Sequence, residues 1–117
     1  MHGVPKDLNI PGLVGDRLDS ITTYEFQIAF GFDRGTRITV QSEVDIVHDG
    51  RLVARWAEDD KWSLAGFSQC LGATVESFAV PDQHTLQIRL QGGWIVTIYD
   101  NTPHYESFHI EPLGIHI

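Results

Sequence analysis

Phe26-Gln27-Ile28-Ala29-Phe30-Gly31-Phe32-Asp33-Arg34-Gly35-Thr36-Arg37-Ile38-Thr39-Val40-Gln41-Ser42 is the stretch whose pattern sets the fold class. On both sides of Asp33-Arg34-Gly35, apolar residues recur at every second position, the period of a strand with one buried face. A type I turn leaves the third loop residue in the left-handed region, which glycine enters without a Cβ clash, so the tripeptide reads as a tight reversal. Phe32 then faces Thr36, Phe30 faces Ile38, Ile28 faces Val40 and Phe26 faces Ser42. A slip of one residue would send this whole apolar set to solvent.

The same signal occurs twice more, at His48-Asp49-Gly50 and at Gln91-Gly92-Gly93. Taken as three-residue loops, the first pairs Ile46 with Leu52, Val44 with Ala54 and Ser42 with Trp56, while Arg37, Thr39, Gln41, Glu43 and Asp45 point to the other side. The second pairs Leu90 with Trp94, Ile88 with Val96 and Leu86 with Ile98, and it puts Trp56 and Trp94 on the inner face. Gly15-Asp16-Arg17-Leu18-Asp19-Ser20-Ile21 also matches Gly72-Ala73-Thr74-Val75-Glu76-Ser77-Phe78, and Ile38-Thr39-Val40 matches Val96-Thr97-Ile98. These offsets suggest one β-meander used twice.

Between the halves, Ser63 to Leu71 has helical spacing at Leu64, Phe67 and Leu71, with Ser63 as N-cap and Gly72 as stop. Phe67 and Leu71 are expected to pack onto a sheet. A final strand is expected at Tyr105 to Ile110 and a short one at Ile115 to Ile117. The predicted fold is therefore mainly β (α+β): two antiparallel meanders in a rolled sheet or sandwich of seven or eight strands, with one short helix between the halves. At 117 residues the chain is one domain over 1–117, with residues 1–12 as an extended N-terminal arm.

Sixteen Asp and Glu against eight Lys and Arg give a net charge of −8, which argues against nucleic acid as a partner because phosphates would be repelled. Cys70 is the single cysteine, so no intrachain disulfide forms, and a buried structural thiol is the simplest reading. Neither an export signal nor a membrane span is read in the sequence, so the expected location is the cytoplasm.

No grouping carries a catalytic signature. Gly66-Phe67-Ser68-Gln69 lacks the second glycine of a nucleophile elbow, and Gly92-Gly93 lacks the lysine of a phosphate loop. His84, His104, His109 and His116 gather late in the chain with Asp100 and Glu106. On one extended segment, however, His104 and Glu106 share a face while Tyr105 and His109 share the other, so no metal site and no cofactor are assigned. The acids gather elsewhere, with Glu43, Asp45 and Asp49 around the second hairpin and Glu58, Asp59 and Asp60 where its strand exits. Such a surface steers cationic partners, as it does in inhibitors of basic nucleases. Together with Trp62, the freest of the three tryptophans, these six acids are the candidate partner-binding residues.

The text Leu90-Gln91-Gly92-Gly93-Trp94, then Thr97-Ile98-Tyr99-Asp100-Asn101 and Tyr105-Glu106-Ser107-Phe108-His109-Ile110, with the opening Gly12-Leu13-Val14-Gly15, resembles a small bacterial family of uncharacterised β-rich proteins. The resemblance spans residues 12 to 117 and rests on turn glycines and strand residues. It implies a bacterial β-rich domain, and proteins of this size and composition include immunity proteins that neutralise toxins. The leading expectation is a non-enzymatic protein-interaction domain, an immunity- or antitoxin-like inhibitor of a basic, toxin-like partner. The alternatives are a small-ligand binder or enzyme near the C-terminal strands, using Tyr99, His104, Tyr105 and Glu106, and a homo-oligomer joined through the edge strand Tyr105 to Ile110.

Overall fold

The alternating runs form strands in a computed structural model that describes residues 3–57, 64–101 and 106–117. In chain order these are β1 (Leu18–Thr23), β2 (Ile28–Phe32), β3 (Arg37–Val40), β4 (Glu43–His48), β5 (Arg51–Ala57), β6 (Val75–Asp82), β7 (Thr85–Leu90), β8 (Trp94–Tyr99), β9 (Phe108–Glu111) and β10 (Ile115–His116). They build two antiparallel five-stranded sheets, β1-β2-β3-β9-β10 and β5-β4-β8-β7-β6. The mainly β architecture is thus as expected, with ten strands among the described residues rather than seven or eight. No helix among the described residues is long and apolar enough to cross a membrane.

The topology gives the suspected repeat a physical form. Each half is a three-stranded meander followed by a hairpin that crosses over and joins the other half's sheet: β4-β5 lies beside β8, and β9-β10 beside β3. The backbone bonds along the seam between the halves come in matched pairs. Gly15 N–H donates to Val75 O and Gly72 N–H to Leu18 O, both at 2.8 Å, while Leu18 N–H donates to Ala73 O and Val75 N–H to Asp16 O. Arg17 and Thr74 bridge each other at the centre. Even the irregularity is repeated, between Leu18 and Ser20 in β1 and between Val75 and Ser77 in β6.

Two of the three expected hairpin registers are observed, with Phe30 opposite Ile38 and Ile28 opposite Val40, and with Leu90 opposite Trp94 and Ile88 opposite Val96. The middle one differs. Val44 faces Trp56 and Ile46 faces Ala54, two residues away from the expected pairing, because the loop is the two-residue Asp49-Gly50 and a bulge follows at Val53. Asp49 and Gly50 both have positive φ, at 49° and 82°, the backbone of the tightest hairpin turns, which favours Asp-Gly. Ala54 and Trp56 still face inward, whereas Leu52 lies before the bulge and is 43% exposed.

The expected helix is a 3₁₀ helix, Leu64–Cys70. With three residues per turn, Phe67 and Cys70 share a face, and both are buried. Leu71, which a 3.6-residue period would carry inward, is exposed instead. The helix lies on the edge of β5, and Gly66 permits the approach: a Cβ there would stand 2.7 Å from the Val53 carbonyl oxygen. The N-terminal segment is likewise packed rather than extended. Val4, Ile10 and Leu13 are buried, Val4 N–H donates to Gln83 O, and Gly3 N–H donates to the buried carboxylate of Asp100, which also accepts from Ser107 Oγ. The inward-facing side chains of both sheets, among them Phe30, Ile38, Trp56, Ile88, Ile98 and Phe108, form one continuous core. Trp56 Nε1 is buried within it without a hydrogen-bond partner among the described residues.

Candidate functional site

Because Val44 and Ile46 face the core, Asp45 between them must lie on the outer face of the second sheet. Register puts Gln87, Thr97, Asp45 and Arg55 in one row across that face. The acid is not wet, however. Asp45 is only 5% exposed, and its carboxylate accepts from Arg55 Nε at 2.8 Å, from Arg55 Nη2 at 3.2 Å and from the Tyr99 hydroxyl at 3.0 Å. The hydrogen bonds and charge of Asp45 raise the Arg55 pKa further. Burial, reinforced by the charge of Asp45, pushes the Tyr99 phenol up to about 12. Asp45 is therefore a saturated partner inside the sheet and adds no free charge to an acidic surface.

Of the remaining acids in the expected cluster, Glu43 is half-buried near the Arg55–Tyr99 group, and Asp49 stands exposed at the hairpin tip. Glu58, Asp59, Asp60 and Trp62 lie outside the described residues. The tip itself is tightly laced to its neighbour. Asp49 N–H donates to Gly93 O at 3.0 Å, His48 Nε2 lies 2.9 Å from Gly92 O, and the His48 ring stacks on Trp94 with centroids 4.0 Å apart. Trp94 lies on the inner face as expected, packed against the core and half-buried at its rim.

On the first sheet, register makes the equivalent outer row Ala29, Thr39, His109 and His116. Here the separate faces expected for Glu106 and His109 are not observed. The turn after β9 returns the chain so that His116 lies directly opposite His109, with ring centroids 5.5 Å apart and 27° between planes. Glu106 joins them through a 3.0 Å contact between its Oε2 and His116 Nδ1. One potential ligand atom from each of Glu106, His109 and His116 lies within 4.8 Å of the other two. The hydrogen bond and charge of Glu106 raise the pKa of His116. His109 Nδ1 is hidden from water with no hydrogen-bond partner among the described residues, an arrangement that costs about 1–3 kcal/mol if nothing else satisfies it. The signal available in sequence was the Pro112-Leu113-Gly114 turn between two alternating segments, which pairs the two histidines by simple register. His104 and Tyr105 lie outside the described residues.

A cleft of about 330 Å³ between the N-terminal segment and the β6–β7 turn is lined by Val4, Lys6, Val80, Pro81, Asp82 and Gln83. Asp82 is occupied there, accepting from His84 N–H at 2.7 Å and Thr85 Oγ1 at 2.9 Å. The Cys70 thiol is pushed up to about 11 by burial, which keeps it protonated and unreactive at neutral pH. No family model, curated protein or solved structure matches the chain.

Proposed function

We propose that this chain is a non-enzymatic interaction domain, an immunity- or antitoxin-like inhibitor that engages a basic partner protein. The observation that carries this reading is the laced pair of hairpin tips, where an exposed carboxylate, Asp49, stands beside the stacked His48–Trp94 pair. An aromatic anchor next to a carboxylate suits a lysine or arginine side chain, and its fixed backbone reduces the ordering cost of binding. Long-range attraction adds to this. Arg17 is tied to Asp33 and Asp19, and Arg55 to Asp45, so two of the eight basic side chains are paired locally in a chain of net charge −8. The docking centre accordingly moves from the middle of β4 to its tip. In this reading the protein works in the cytoplasm, where its single cysteine needs no oxidising environment.

The test is capture of a partner from bacterial lysate at low salt, followed by calorimetric titration of the purified pair. Asp49→Lys and Trp94→Ala are each expected to weaken the complex by about tenfold or more, and added salt to weaken the wild-type complex. Recovery of no basic partner, or a complex indifferent to both substitutions, would sink the reading.

A further inference from the structure

We propose that Glu106, His109 and His116 form a binding site for a divalent transition metal, with zinc the ion best suited to the donor set. Two imidazoles and one carboxylate are the ligands of open zinc sites that leave a position for water or another donor. The donors here come from a rigid frame. His109 and His116 are directly opposed across β9 and β10, and Ile117 locks the shorter strand by accepting from Ser107 N–H at 2.7 Å and donating to Phe108 O at 2.9 Å.

Distances support the assignment. Ligand bonds of about 2.0–2.2 Å place donor atoms of a tetrahedral zinc site roughly 3.3–3.6 Å apart. The three donors of this cluster lie within 4.8 Å of one another. Closing the difference takes about an ångström of movement, within reach of the broad terminal torsions of histidine and glutamate. A structural ion pair alone leaves one observation unexplained. Glu106 pairs with His116, yet the opposed His109 keeps a ring nitrogen shielded from water and without a partner among the described residues. Coordination through that nitrogen would satisfy it. The site is independent of the partner surface proposed above, which lies at the tips of the other sheet.

The experiment uses the untagged full chain freed of metal by chelation, titrated with zinc chloride in a calorimeter, with cobalt(II) absorption as a second readout of coordination. One saturable equivalent is expected. His109→Ala and His116→Ala should each weaken it by at least the roughly tenfold that losing a mere outer-shell partner costs. His84→Ala, remote in the chain and bonded within the β6–β7 turn, should leave it unchanged. Should a variant misfold, imidazole NMR signals of the wild-type protein decide: zinc should move those of His109 and His116 first among the six histidines. Absence of saturable binding, unaltered binding by the His109→Ala/His116→Ala double variant, or zinc-induced shifts centred on other histidines would each overturn the proposal.

Discussion

The two outer sheet faces occupy equivalent places in a duplicated fold, yet one is chemically closed and the other is open. Thr97, Asp45 and Arg55 of the second sheet correspond by register to Thr39, His109 and His116 of the first. In the second sheet the central carboxylate sits between a guanidinium and a phenol that together supply three hydrogen bonds, and it is almost fully withdrawn from water. In the first, two imidazoles face each other, a single carboxylate pairs with one of them, and one nitrogen of the other ring is left over. A sheet backbone decides which side chains meet across strands. Whether those side chains satisfy one another is decided by their identity alone, and an unsatisfied set is what a ligand can complete.

Substitution at the two matched central positions gives the largest expected contrast. Asp45→Ala strands the Arg55 guanidinium and the Tyr99 hydroxyl, and should cost about 2–3 kcal/mol, discounted from the value for a fully buried pair because Arg55 is partly exposed. His109→Thr, which repeats the residue type of its neighbour Thr39, should stay within about 1 kcal/mol in metal-free protein. Urea unfolding midpoints of the two variants measure both. Equal losses would mean that the histidine face is as structural as the aspartate face, and the distinction between them would fall.

The sheet edges differ in the same sense, since β5 is covered by the 3₁₀ helix at Gly66 while β10 is a two-residue strand held mainly by backbone bonds. Gly66→Ala forces a Cβ against the Val53 carbonyl, a backbone group that cannot swing aside, and should destabilise by about 1–3 kcal/mol. Gly66→Ala unfolding at the wild-type midpoint would show that the helix rests on the edge loosely.

Much of the closed, apolar side of this molecule was legible in the sequence. Gly35, Gly50 and Gly93 have the positive φ that hairpin tips require, and Ile38, Val44 and Ile88 are buried as alternation demands. The second register was misread because Asp-Gly fits both a two- and a three-residue loop, and a bulge at Val53 leaves the inner face unchanged either way. The helix face was misassigned because residues 64, 67 and 71 suit a 3.6-residue period, whereas packing against a strand edge selected the tighter turn that buries Cys70. The polar faces were less legible. Strand alternation says that Asp45 and His109 point outward, but not that Arg55 and Tyr99 cover the one while His116, brought back by a turn, joins the other. Those outcomes depend on pairing between distant strands, which no local pattern records.

The smallest expected effect concerns the phenol over Asp45, which has no aromatic counterpart on the histidine face, where Gln41 takes the matching place. Burial and the neighbouring carboxylate favour the neutral phenol, so Tyr99 ionises near 12 rather than near 10. Its folded value lies above the unfolded one, and the stability it contributes is present in full below pH 10 and lost as pH rises through about 12. Urea midpoints of the wild type should therefore fall between these limits more steeply than those of Tyr99→Phe, with little difference between the two slopes at neutral pH. Absorbance titration should show a late phenol ionisation in the wild type that is lost in the variant. A wild type that lacks this late step would mean that Tyr99 is not shielded beside Asp45, and that the second sheet's face is as open as the first.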